Sequence, residues 1–121
     1  MTVAYWIVAV LLGLFYAYSG GKKAVQSRER LAPMMAWVDT TPMPVVRLIG
    51  VVEIVGVAGL VLPPLTGVAP SLAVAAAIGL AVLQVLAAGF HLSRGEAKET
   101  GLNGTLVAVA AVAAWLATEA W

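Results

Sequence analysis

Residues 47–64 read RLIGVVEIVGVAGLVLPP. Without Glu53, this is a plain apolar helix running from Arg47 to a double-proline stop. Five nonpolar residues separate the carboxylate from Arg47, and an apolar run continues on its other side to Pro63. A carboxylate inside such a run needs an explanation.

Composition supplies the setting. Hydrophobic residues make up 62% of the 121, charged residues 11%, and mean hydropathy is +0.98. Soluble domains carry about 25% charged and about 45–50% apolar residues, and a water-facing surface needs more charge than this chain has. A membrane-embedded single domain, residues 1–121, is the expectation. The net charge of +1 gives no footprint for nucleic acid. The absence of cysteine excludes disulfides, thiolate metal sites and cysteine nucleophiles.

Four stretches approach the length a bilayer requires: residues 3–19, 44–62, 70–90 and 102–120. A hydrocarbon core of about 30 Å takes about 20 residues, with about 17 sufficient. An all-α bundle of four transmembrane helices follows. The first stretch lacks a basic leader and a small-residue cleavage site, so it is expected to be a span. Thr41-Pro42 reads as a helix cap with proline in the first turn. Pro63-Pro64 reads as the end of the second span, and Pro70-Ser71 as the start of the third.

The one long connection, residues 20–43, contains LAPMMAWV. Leu31, Met34, Met35 and Val38 recur at helical spacing beside Trp37, which predicts a short interfacial helix. Lys22, Lys23, Arg28 and Arg30 lie in this connection, Arg47 just beyond it, and Arg94 and Lys98 in the third. The second connection and both tails carry no lysine or arginine. The positive-inside rule then puts the first and third connections in the cytoplasm and both termini outside, in a cell membrane.

Glu53 costs roughly 2.5–3.5 kcal/mol at a span centre on insertion scales, so it is expected to face the interior and find a partner. Candidates gather toward the basic end. Tyr16, Ser19, Gly20 and Lys23 share one face of the first span. Gln84 and His91 share one face of the third. Asn103 and Thr105 open the fourth. Arg47 is six residues from Glu53, about 9 Å along the axis and about 240° around it, so it is a poor intrahelical partner. Lys23, His91 or Tyr16 from a neighbouring helix fits better. Gly50, Gly56 and Gly59 let another helix or a ligand come close to this span. One histidine and one carboxylate cannot supply the ligands a zinc site needs, so no metal is expected. Trp6, Trp115, Trp121 and Tyr5 read as an aromatic belt.

The segments YAYSGGKKA, RLIGVVEIVGVAGLVLPP and AAGFHLSRGE, in this order, resemble the DoxX-like family of small four-helix membrane proteins. The shared pattern falls on Ser19, Gly20 and Lys23, then Arg47, Gly50 and Glu53, then His91, with Lys22 competing for the lysine position. The resemblance implies a four-helix membrane bundle. Founding members of the family are associated with quinone-linked sulfur oxidation and terminal oxidases.

Three function classes follow. The first is binding of, or acid/base chemistry on, a lipophilic small molecule around Glu53, of the isomerase, cyclase or lyase type. Glu53, Lys23 and His91 would be catalytic, with Tyr16, Ser19, Arg47, Gln84, Asn103 and Trp37 binding substrate. The second is a membrane subunit of a quinone-linked redox complex. One histidine, no cysteine and no glycine-rich dinucleotide loop argue against redox work by the chain alone, and no cofactor is expected. The third is a structural accessory in which Glu53 and its partner only lock helices together. Membrane lipid is the surrounding partner. Small-residue pairs such as Ala75 with Gly79 and Ala77 with Ala81 raise the expectation of a homo-oligomer.

Overall fold

The computed structural model describes residues 2–33, 35–96, 98 and 100–121, with the side chains of Ala36 and Asp39 left aside. Four long helices carry the chain: α1 (Thr2–Val25), α3 (Met43–Thr66), α4 (Leu72–Ser93) and α5 (Thr100–Ala120). A four-residue α2 (Arg28–Leu31) and a 3-10 helix (Ala36–Thr40) sit between α1 and α3. Each long helix is apolar and long enough to cross a membrane. Around the bundle, α1 packs on α3, α3 on α4, α4 on α5, and α5 back on α1.

The outward surface is oily. On α1, Ile7, Leu11, Leu14 and Tyr18 are exposed, while Tyr5, Ala9, Leu12, Tyr16 and Ser19 are buried. In water this would be an inverted protein; in hydrocarbon, apolar groups may cover the outside at no cost. The interior is built largely from small residues. Ala77, Ala110 and Ala113 pack with Leu12, Leu60, Leu80 and Leu106 in the main cluster. At one end, Tyr5, Trp6 and Trp121 meet edge to face, with the Tyr5 and Trp121 rings 4.8 Å apart. The start of α1 therefore lies beside the end of α5.

The helices overrun the expected limits. α1 continues past Ser19 to Val25, through the two lysines. α3 passes through Pro63 and Pro64 and ends at Thr66. A proline near the end of a helix crowds the carbonyl four residues back and leaves it without its N–H donor. Pro64 deprives the Leu60 carbonyl of its donor, and the Tyr5 hydroxyl donates to that carbonyl instead, at 2.6 Å. The stop is Gly67, whose left-handed backbone (φ 74°) lets its N–H bond the Pro63 carbonyl. Pro70 and Ser71 form a turn, and α4 begins at Leu72. Pro42 rather than Thr41 caps α3; the Thr41 hydroxyl donates backward to the Trp37 carbonyl at 2.8 Å.

The long connection also differs in detail. One helix over 31–38 is replaced by two short pieces, because Pro33 lacks the N–H needed to continue α2. Leu31 and Val38 still face the same way, buried against Val46 with Met35, Trp37 and Met43 around them. Arg28 ties the two pieces together by donating to the Val38 carbonyl at 2.5 Å. Met34 lies outside the described residues. The segment folds down onto the bundle end and meets the third connection there: Arg94 donates to the Thr40 hydroxyl, and Trp37 stands edge-on to Phe90 with centroids 6.1 Å apart.

Candidate functional site

The site begins with a backbone contact. A Cβ placed on Gly20 would lie 2.8 Å from the Gly50 carbonyl oxygen, and one on Gly50 would lie 2.7 Å from the Gly20 carbonyl oxygen. Only glycine permits α1 and α3 to cross this closely. The crossing brings Lys23, one turn beyond Gly20, to Glu53, one turn beyond Gly50. Lys23 Nζ donates to Glu53 Oε1 at 2.6 Å, with the two side chains 11% and 2% exposed. Lys23 also lies over the Trp37 ring, 5.6 Å from its centroid. Lys23 is thus the partner among the three candidates, and it rather than Lys22 reaches Glu53. Lys22 bonds the Tyr18 hydroxyl at 3.1 Å.

Arg47 points elsewhere, as its rotation around α3 dictates. Its guanidinium donates to the carbonyls of Lys23 at 2.9 Å and Gln26 at 2.5 Å. Lys23 belongs to the last turn of α1, where helix carbonyls lack intrahelical donors, and Gln26 directly follows the helix. Arg47 therefore holds the end of the helix that carries Lys23. Gly56 and Gly59 face α4, where added Cβ atoms would meet Leu80 and Ala76 at 2.7 and 2.8 Å. The glycines of α3 thus serve two neighbours.

A cavity of about 710 Å³ opens beside the ion pair. All four long helices and the first connection line it. Ser19, Lys23, Glu53, Gln84 and Asn103 form its polar side; Phe15, Ile49, Leu83, Ala87, Phe90 and Leu106 form much of the rest. Met35, Trp37 and Thr41 come from the first connection. Asn103 Nδ2 donates to Gln84 Oε1 at 2.7 Å, joining α5 to α4. Three buried oxygens in this region have no hydrogen-bond partner among the described residues: Glu53 Oε2, Asn103 Oδ1 and the Tyr16 hydroxyl. Ser19 lies beside the carboxylate, and Tyr16 beside Gln84, without completing bonds of good geometry. Tyr16 is not on the cavity wall but next to it, within electrostatic reach of Glu53.

His91 belongs to the cavity but not to the ion pair. Its Nδ1 lies 3.1 Å from Glu96 Oε1, and Arg94 Nε donates to the same oxygen at 2.8 Å. Hydrogen bonds from His91 and Arg94 hold the Glu96 carboxyl below its usual range. His91 and Glu96 both line the cavity. Thr105 bonds the Gly101 carbonyl on the exposed side of α5, away from the cavity. Among the described residues, no three histidine, aspartate or glutamate side chains converge.

Sequence reasoning missed Glu96, Phe90, Phe15 and Tyr18 as wall residues. Phe90 adjoins His91 and Glu96 lies five residues after it, and that nearness is the only signal the sequence offers for them. Phe15 and Tyr18 are common apolar and interfacial residues of a span and carried no mark.

A closed ring of four apolar helices with a polar cavity at one end defines a small multi-pass membrane protein. The chain belongs to the DoxX-like family, whose pattern it matches over residues 7–114. No curated protein and no solved structure matches it.

Proposed function

We propose that this protein binds a lipophilic small molecule in the cavity beneath the first connection, and that the Lys23–Glu53 pair exchanges a proton with it. The observation that carries this reading is that the 2.6 Å ammonium–carboxylate pair formed at the α1–α3 crossing also stands in the wall of a roomy cavity. Ligand sites have volumes of about 300–1,000 Å³ and mix apolar walls with a few convergent polar groups. A carboxylate held by a hydrogen-bonded ammonium in the wall of a ligand-sized cavity suits general acid/base work. Ser19, Gln84 and Asn103 would orient the polar part of the ligand, and Trp37 would cover it. His91 stands at the wall with Glu96, positioned for a second proton transfer.

One further observation favours a purely locking role. The same pair sits at the α1–α3 crossing and would hold it even with the cavity empty. Two substitutions separate the readings. Glu53→Gln keeps the shape and can still accept from Lys23, but cannot take up a proton at neutral pH. Under the binding reading it purifies as a folded protein and loses the lipophilic molecule or turnover seen with wild type by mass spectrometry of organic extracts. If Glu53→Gln retains the ligand and only Glu53→Leu disturbs assembly, the pair is a lock.

The basic residues of the first and third connections gather at the cavity end. That distribution supports a cell-membrane orientation with the cavity mouth at the cytoplasmic face and both termini outside.

A further inference from the structure

The cover over the cavity is anchored on one rim and clasped on the other. On the α3 rim, Leu31 and Val38 are buried against Val46, and Arg28 joins α2 to the 3-10 helix through the Val38 carbonyl. This anchor is apolar and opens only by giving Leu31 and Val38 to water. On the α4 rim the contacts run between side chains. Arg94 donates to the Thr40 hydroxyl, and the Trp37 ring stands edge-on to Phe90. Thr40 is exposed, so releasing this clasp unburies little.

The α4 half of the clasp is held in advance. Arg94 Nε donates to Glu96 Oε1 at 2.8 Å, that oxygen lies 3.1 Å from His91 Nδ1, and the guanidinium sits over the Phe90 ring, 5.7 Å from its centroid. An arginine already held on two sides loses little more freedom on taking a third partner. The other half leads straight to Trp37. The Thr40 hydroxyl reaches the Trp37 carbonyl at 3.4 Å, and that carbonyl also receives the Thr41 hydroxyl at 2.8 Å. Trp37 lines the cavity with the Lys23 ammonium over its ring. Whatever fixes Thr40 therefore fixes the residue that covers the ion pair. On the reading that the cavity is a ligand site, we propose that the first connection is its gate and the Arg94–Thr40 tie is the latch. A ligand enters and leaves at the basic end of the bundle when Thr40 and Trp37 turn away from Arg94 and Phe90. Leu31 and Val38 stay seated as the pivot. Closure returns the Trp37 ring to Lys23 and shuts water away from the pair.

Access to a buried cysteine reads the gate without a ligand. Ser19 is 8% exposed and lines the cavity, and Ser19→Cys exchanges a hydroxyl for a thiol. This variant, in lipid nanodiscs, is treated with 2-(trimethylammonium)ethyl methanethiosulfonate, a charged reagent that stays out of hydrocarbon. The labelled fraction is followed by mass spectrometry. Labelling should be slow with the latch intact. It should become about fivefold faster or more when Arg94→Gln or Thr40→Val is added, the range a charge-assisted hydrogen bond allows. Ala73→Cys, buried beside Tyr5 and Ala117 at the opposite end, should stay unlabelled in every background. Fast labelling of Ser19→Cys with the latch intact overturns the gate, as do equal rates with and without the latch substitutions. A rise with Arg94→Gln alone reports a lost positive charge, and a parallel rise at Ala73→Cys reports a loosened bundle; either overturns the latch. No ligand is present, so failure here leaves the ligand reading to its own Glu53→Gln test.

Discussion

Gly50 shows how much one absent side chain decides. Its missing Cβ is replaced by α1 itself: Gly20 O, Ala24 N and Lys23 Cβ all lie within 2.8 Å of where that atom would be. Two of the three are backbone atoms and cannot swing aside. Gly50→Ala should therefore force α1 and α3 apart, at a cost of about 1–3 kcal/mol, and lengthen the Lys23–Glu53 contact. Gly79→Ala is the control, because nothing lies within 4 Å of its added Cβ; it should change stability by no more than about 0.5 kcal/mol. Thermal unfolding of both variants in one detergent compares them, and a Gly50→Ala protein as stable as Gly79→Ala would refute the account of the crossing. At this scale the sequence was partly legible. Glu53 stood out because a carboxylate in an apolar run needs a partner. Its partner stayed open among Tyr16, Lys23 and His91, because the depth at which two helices meet depends on a glycine-to-glycine contact that spacing along one chain does not encode. Ala75 and Gly79, which raise the expectation of a contact between copies, are both exposed; the close crossings within the chain rest instead on Gly20, Gly50, Gly56 and Gly59.

Among the elements, α3 departs most from the sequence rule. The Pro63-Pro64 pair predicts a stop at Leu62, and the helix runs one further turn to Thr66. The rule failed because the cost of a proline lies in the carbonyl it strands, and the Leu60 carbonyl is rescued by a hydroxyl 55 positions away. This makes Tyr5 and Pro64 energetically coupled. Tyr5→Phe leaves a buried carbonyl unpaired and should cost about 1–3 kcal/mol. Pro64→Ala restores an N–H at the position that bonds Leu60 within the helix, so in that background Tyr5→Phe should cost clearly less. A double-mutant cycle by denaturant unfolding measures the difference; additivity within about 0.5 kcal/mol would show that the two residues act independently. The first connection illustrates the opposite case. Its apolar spacing was readable and its burial against Val46 follows from it, but Pro33 divides the expected helix, and the tie from Arg94 to Thr40 joins elements too distant in sequence to be paired by pattern.

For the whole molecule, the number of spans was the most legible property, since four long apolar stretches in so short a chain leave little else to build. The ring order was not legible, because every helix is apolar on nearly all sides and no stripe announces which neighbour it meets. The orientation is open to direct measurement. The chain has no cysteine, so single cysteines report cleanly. Ser27→Cys and Lys98→Cys should resist a membrane-impermeant maleimide in intact cells, and Val68→Cys should react; the reverse pattern would place the cavity mouth on the outer face. The meeting of Tyr5 with Trp121 has a consequence of another kind. Since the start of α1 touches the end of α5, the ring has no privileged first helix. A short linker from residue 121 to residue 2, with the chain opened in the 67–71 turn, would give the order α4, α5, α1, α2, α3. Each helix would keep its direction across the bilayer and its two neighbours. The fold is therefore a natural scaffold for circular permutation, and the cavity, formed at the opposite end from the cut, would be assembled from the same side chains in a new order of synthesis.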